Sequence, residues 1–370
     1  LKKYLSLSIG NKSEAYYWIG KNYLELEEYG LAINNFNMAL DKKYAIKSWV
    51  SQNSAELIKT AEAKNHYYKA RVKMAYGYDN NILRDNYKVN DQLGILDVYQ
   101  DYYFIRKKKT QLNIGLDISY QSYANYHIYQ FASGSVRLDY LRVLTDSISN
   151  SGSISGGKSL SDFKSDQNYL FATYYVTIGL SKKVEIQPSL VYFANLNNNP
   201  VKQTSFSLSG YYYLDSDYAW LTPFYRKSAS PDPVIEISGG TPYIAQYSAT
   251  TNYTQMGLIV GYQKSLGEKF GLTFQYSYTK SEYQKYDLSS YPASSVLDKE
   301  GRIDEQHTVR LALQYQQAAK VRWTLSNSAT FNKSKGFQGF TSPYATPSSP
   351  DSNASYDQNL TSLSVTLDFP

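Results

Sequence analysis

The chain has 370 residues, with 38 Lys and Arg against 32 Asp and Glu, a formal charge of +6 spread along its length. No apolar window is long enough for a transmembrane helix, and the mild basic balance is not the concentrated patch of a nucleic-acid binder. The absence of cysteine excludes a disulfide scaffold, thiol chemistry and lipidation on a Cys of this chain. Mean hydropathy is polar at −0.49, yet 40 Tyr, 14 Phe and 4 Trp sit among much Ser, Asn and Gly. That mixture suits strands with one apolar and one polar face, because a polar lumen dilutes the average. No signal peptide opens the sequence, so an export signal is expected to have been removed or to lie outside it.

Residues 1–66 read as helical. In "SEAYYWIGKNYLELEEYGLAINNFNMALDKK" small and aromatic residues recur at the offsets of a tetratricopeptide repeat. Tyr16, Ile19, Gly20 and Tyr23 fit its first helix, and Ala32, Phe36 and Ala39 its second. Gly20 and Ala32 are small where two helices cross closely. Tyr44 stands where the repeat usually ends in Pro. Residues 44–64, with Ile46, Trp49, Val50, Leu57 and Ile58, read as a covering helix. A lone repeat leaves its face unburied, so more repeats before Leu1, or packing on the rest of the chain, are expected.

From residue 67 the period changes to two. Fourteen strands are predicted: 67–78, 93–106, 109–122, 128–139, 142–155, 167–181, 184–196, 203–215, 218–229, 250–264, 269–282, 304–318, 321–334 and 357–369. The fourth and fifth are poorly punctuated, and twelve or sixteen strands stay open. In "QLNIGLDISYQ" Leu112, Ile114, Leu116, Ile118 and Tyr120 share one side, and Asn113, Gly115 and Asp117 the other. Many strands exceed the ~5–6 residues of globular sheets and the roughly 9–11 needed to cross hydrocarbon at a tilt. Short turns alternate with the longer segments 79–92, 230–249, 283–303 and 335–356. This is the rhythm of a transmembrane antiparallel β-barrel with both termini on the short-turn, periplasmic side. Tyr76, Tyr78, Tyr211 to Tyr213, Tyr276 and Tyr278 lie toward strand ends, as in aromatic girdles.

The inward faces are predicted to carry Arg71, Lys73, Asp97, Asp101, Asp117, Arg137, Asp139, Glu185, Arg310, Arg322 and Asp368. They read either as a structural charge ladder or as a polar path for a translocating chain, and the sequence does not choose. Hairpin adjacency suggests Arg71 and Lys73 facing Asp97 and Asp101. The two aspartates lie ~13 Å apart at ~3.3 Å per residue, too far for a paired-carboxylate hydrolase. His66, His127 and His307 stand singly, without metal-ligand spacing. No catalytic site, metal or cofactor is expected. Asp79, in "GYDNNI", is good turn chemistry. The loops at 230–249 and 335–356 read as a plug, a partner surface or a solvated cap.

The segments "AYYWIGKNYLELEEYGLAINNFNMAL", "AYGYDNNIL", "YQFASGSV" and "SGGKSLSDF" follow one another in an order that resembles barrels fed by a tetratricopeptide repeat. These include the surface lipoprotein assembly modifiers and the exopolysaccharide and cellulose export porins. Fourteen strands look more like the first group. The resemblance implies two parts, a periplasmic helical segment (1–66) and an outer-membrane barrel (67–370). It implies export of a lipoprotein or polysaccharide, with the repeat docking the substrate or a protein partner. A structural anchor of an envelope machine and a diffusion porin are the alternatives. The expected surroundings are outer-membrane lipid, periplasmic or outer-membrane partners and the exported substrate, with no nucleic acid. Phe369 fits the terminal aromatic that insertion machinery reads, although Pro370 follows it.

Overall fold

The computed structural model describes residues 12–41, 46–64, 67–81, 89–107, 109–126, 130–161, 165–197, 201–229, 235–238, 241–244, 252–283, 303–335 and 355–369. Three helices come first: α1 (Lys12–Glu25), α2 (Tyr29–Ala39) and α3 (Ser48–Lys64). Their core is Tyr17, Ala32, Phe36, Ala39 and Val50, flanked by Tyr16, Tyr23, Leu24, Trp49 and Leu57. Gly20 lets α1 and α2 meet. A Cβ built there would lie 2.7 Å from the Phe36 ring. Tyr17 supplies the central ring, meeting Trp49 edge-on at 5.2 Å, while Tyr16 packs on the flank of the core. The α1–α2 turn is a Schellman motif. Glu28 N donates to Tyr23 O at 2.9 Å and Glu27 N to Leu24 O at 3.0 Å, with Glu27 left-handed at φ 59°. No helix among the described residues is long and apolar enough to cross a membrane.

Fourteen strands then close into one antiparallel barrel. They are β1 (Tyr68–Asp79), β2 (Asp91–Lys107), β3 (Thr110–Tyr123), β4 (Phe131–Thr145), β5 (Ile148–Ser161), β6 (Ser165–Gly179), β7 (Val184–Asn195), β8 (Lys202–Leu214) and β9 (Asp217–Ala229), followed after a small hairpin by β12 (Tyr253–Leu266), β13 (Phe270–Tyr283), β14 (Ile303–Ala318), β15 (Val321–Lys335) and β16 (Tyr356–Phe369). The hairpin, β10 (Ile235–Ser238) and β11 (Thr241–Ile244), is a separate two-stranded sheet. β1 pairs with β16 from Ala70↔Phe369 to Asp79↔Leu360, so the wall has no free edge. A closed wall satisfies every backbone group where no water can.

The expected count of fourteen is met, with one displaced turn. β4 and β5 meet at 146–147, not near 140–141. Alternation runs unbroken through Leu138, Tyr140 and Arg142, so nothing in the period marks an end. Turn chemistry does: Ser147 N donates to Thr145 Oγ1 at 3.2 Å. The displacement is six residues, an even number, so each side chain keeps its face.

Burial is inside out. The barrel's buried side chains are mainly polar, among them Asp97, Asn113, Ser151, Ser155, Ser209 and Thr366. Its exposed side chains are large and apolar, including Ile154 (58%), Phe206 (54%) and Leu325 (50%). Ile114, Leu116 and Ile118 belong to this outer belt. An apolar belt around a closed polar interior is the solution to lipid outside and water inside. The short connections 108–109, 146–147, 180–183, 215–216, 267–269 and 319–320 lie on one rim, with the start of β1 and the end of β16. The other rim carries the strand ends at Asp79, Asp91, Ala229, Tyr253, Tyr283, Ile303, Lys335 and Tyr356. Three β-bulges, at Tyr103/Ile105, Val143/Thr145 and Gln316/Ala318, all sit by the short-turn rim, where a barrel wall bends.

Candidate functional site

Directly opposed residues share a face, so the register assigns the lumen wall. The pairs Arg71↔Asp368, Lys73↔Asp97, Asp97↔Ser119, Asp117↔Ser135, Gly115↔Arg137 and Asn113↔Asp139 run round one side. Glu185↔Tyr211, Arg310↔Ser328 and Arg322↔Thr366 lie on the same face elsewhere. Asp101 opposes Gly115, so all eleven candidate charges point away from the apolar belt.

Most of them cluster. Arg137 Nη2 donates to Asp101 Oδ1 at 2.9 Å and its Nε to Asp117 Oδ2 at 3.0 Å, while Nη1 reaches Asp139. Asn113 Nδ2 ties Asp101 (3.1 Å) to Asp139 (2.8 Å). Gly115 makes the room: a Cβ there would stand 2.7 Å from Arg137 Nη2. One guanidinium and three carboxylates leave this cluster at −3 + 1 = −2. Lys73 pairs with Asp97 at 3.2 Å, which also accepts from Ser119 at 2.6 Å. Arg71 pairs with Asp368 at 2.6 Å across the closing seam. Its partner is thus on β16, and the partner of Asp101 is on β4. Hairpin adjacency accounts only for Lys73 and Asp97.

Arg310 and Arg322 have no carboxylate partner among the described residues. With Lys73 they surround a cavity of about 250 Å³ on the β14–β1 wall, lined also by Ala75, Gln314, Thr324 and Ser364. Glu185 likewise has no ion-pair partner among the described residues and stands opposite Tyr211.

The opposite sector is aromatic and neutral in the main. Tyr211 and Tyr213 stack at 6.5 Å, Tyr213 meets Tyr218 at 5.9 Å, and Tyr218 meets Trp220 at 5.5 Å. Trp220 lies over Gly261, where a Cβ would stand 2.0 Å from its Cζ2. Tyr211 and Tyr213 therefore line the lumen and are not girdle residues. Tyr76, Tyr78, Tyr276, Tyr278 and Tyr212 are on the outer face. Counting Tyr along the chain hides this division, whereas the parity of each Tyr relative to Glu185 or Phe206 exposes it.

At the long-loop rim Asp79 is a clasp. Asn81 N donates to its Oδ1 at 2.9 Å, the expected Asx turn, and Gln358 Nε2 to its Oδ2 at 2.7 Å across the β1–β16 seam. Both carboxylate oxygens are thus engaged in structure. His307 faces outward, its Nδ1 2.8 Å from Tyr276 Oη. That is the wrong side for chemistry in the lumen. His66 and His127 lie outside the described residues, as do most of the long loops. No group of His, Asp and Glu among the described residues is arranged to hold a metal.

The helices touch the short-turn rim. Glu28, placed by the Schellman turn, pairs with Lys107 at 2.9 Å. Around that pair Tyr29, Leu31 and Ile33 face Tyr67, Phe104 and Arg106 across a cleft of about 510 Å³. Burial raises the pKa of the Tyr29 hydroxyl, helped by Glu27 and opposed by Arg106. Of the repeat residues, Ala32, Phe36 and Ala39 are in the helical core and Tyr16 and Tyr23 pack on it. Ile19 is buried and Gly20 is the crossing point.

No family model matches the sequence, and no curated protein matches it. Several solved barrels are similar in fold. A monoaromatic hydrocarbon channel, CymD, is 10% identical over 82% of this chain and 89% of its own, with a TM-score of 0.47. A bacterial polysaccharide outer membrane secretin is 9% identical over 82% and 99%, also at 0.47. A Pseudomonas aeruginosa FadL homologue is 8% identical over 84% and 92%, at 0.45. Likeness at this level concerns the barrel fold alone.

Proposed function

We propose that the chain is a bacterial outer-membrane barrel that moves a macromolecular substrate, a surface lipoprotein or a polysaccharide, outward. Residues 1–66 form its periplasmic docking segment, a tetratricopeptide-type repeat, and residues 67–370 its conduit. The observation that carries this reading is the joint at the short-turn rim. The Glu28–Lys107 pair holds a helical surface beside the mouth of a lumen lined with charge. A bound substrate or partner would be held where the conduit opens, and helical repeats commonly serve as such surfaces. In this role the lumen charges keep the path wet.

Deletion of residues 1–66 tests it. The truncated barrel, checked for insertion by heat-modified gel mobility, is expected to abolish delivery of the cell's surface lipoproteins or glycans, scored by whole-cell labelling. Unchanged delivery sinks the reading.

A diffusion porin is the second reading, favoured by width. Eight strands already fill a barrel with side chains, whereas sixteen to eighteen leave a channel. Fourteen sit nearer the second case. Planar-bilayer recording separates the two: a steady open conductance supports the porin, a closed trace the gated conduit.

A further inference from the structure

We propose that the cavity on the β14–β1 wall is an anion-binding cup that engages phosphate, sulfate or carboxylate groups on the passing cargo. This rests on the transport reading for its biological use, but the binding itself does not.

Three features converge. First, a cavity of about 250 Å³ opens in the wall, with small side chains, Ala75, Ser364 and Thr324 among them, in its lining. Second, three cations line it: Lys73, Arg310 and Arg322. Lys73 is engaged by Asp97, whereas the two arginines have no carboxylate partner among the described residues. Every other arginine of the candidate set is in an ion pair: Arg71 with Asp368, and Arg137 with its three aspartates. Arg226 on β9, which also faces the lumen, has no carboxylate partner among the described residues but donates to Ser205 Oγ at 2.9 Å, so Arg310 and Arg322 differ from these three in facing one cavity with no ion pair or hydrogen bond to another described side chain. Third, a planar guanidinium matches the oxygens of phosphate, sulfate and carboxylate with two parallel N–H donors, and Thr324 adds a hydroxyl to the lining, whereas the Ser364 hydroxyl donates to Thr324 O at 3.5 Å.

The field favours the same ligand. Low-dielectric walls concentrate potential in a cleft of one sign. The Arg137 cluster, on β2 to β4, carries an excess of −2. An anionic group is thus repelled from one arc of the wall and drawn to the other. A neutral cargo would feel neither.

The test uses the full chain in detergent micelles. The probe is inorganic phosphate, followed by ³¹P line broadening at constant ionic strength. Saturable broadening by the native protein is expected, with affinity roughly tenfold weaker for each of Arg310→Gln and Arg322→Gln, as for a lost charge-assisted hydrogen bond. Thermal unfolding confirms that the variants fold. Broadening that is absent, or equal in the native protein and the double variant, overturns the cup. Competition then separates the sources: polyphosphate, polygalacturonate and neutral dextran displace phosphate to different extents. Dextran competing as well as the two polyanions also counts against the proposal. Phosphate binding with intact delivery after deletion of 1–66 retires the export reading and leaves the cup standing.

Discussion

Replacing Arg137 with Gln removes the one cation that, among the described residues, contacts Asp101, Asp117 and Asp139. The local charge falls from −2 to −3, and the three carboxylates lose their common counter-ion. Breaking a buried pair costs about 3–5 kcal/mol, whereas a fully exposed pair contributes about 0–1 kcal/mol. These side chains are 18–27% exposed, so they lie between the limits. Asn113 still bridges two of the aspartates. A loss of about 2–4 kcal/mol is expected. Urea unfolding of the barrel in phospholipid vesicles, followed by tryptophan fluorescence, measures it. Adding Asp117→Asn to Arg137→Gln should restore part of the loss, because one repelling charge is gone. Asp117→Asn alone should cost less than about 1 kcal/mol, since it lowers the excess charge to −1. An Arg137→Gln barrel within about 0.5 kcal/mol of the native one would refute the view that this ion cluster holds β2, β3 and β4 together.

Leu116→Asp puts a carboxylate in the lipid-facing belt, which should cost about 1–3 kcal/mol and slow insertion on a heat-modified gel; normal insertion inverts the face assignment. Gly20→Leu forces a side chain into the Phe36 ring, and overpacking of this kind costs about 1–3 kcal/mol. Limited proteolysis should cut the helical segment faster while the barrel stays intact. Lys107→Glu sets like charges against each other at Glu28, so spin labels on α2 and β2 should report a broader distance distribution; an unchanged distribution means the joint rests on other contacts.

The barrel was legible because lipid imposes one rule on every strand. Alternation over residues 67–369 recovers all fourteen strands, and its parity decides the face of Leu116 or Asp117 without knowing any neighbour. What it does not decide is who sits next to whom. The partnership of Arg71 with Asp368 spans nearly the whole barrel sequence and exists only because the wall closes. Arg137 reaches Asp101 across β3 only because Gly115 has no side chain to block it. Neither event leaves a periodic trace. The β4–β5 turn was misplaced for a related reason: Asp146 and Ser147 are ordinary turn residues within a segment whose alternation never pauses. Tyr211 and Tyr213 were misread because abundance near strand ends was weighed above parity. In the helices, Tyr17 takes the central place through contact with Trp49 on α3, a helix the repeat pattern does not describe.

The β1–β16 seam has a consequence for the order of assembly. Its partners, such as Ala70 and Phe369, are the most distant in the barrel sequence, so the seam is the last contact a growing chain can make. Until Tyr356–Phe369 has arrived, both β1 and β15 present bare rows of N–H and C=O groups. Such edges are intolerable in hydrocarbon and inviting to any other strand in water. A partly made barrel is therefore neither a smaller barrel nor a stable intermediate in the bilayer. The Gln358–Asp79 and Arg71–Asp368 contacts act at the two ends of this seam. They form only at closure, which makes them the natural place to look for variants that close slowly and lose stability in proportion, with the unfolding rate nearly unchanged.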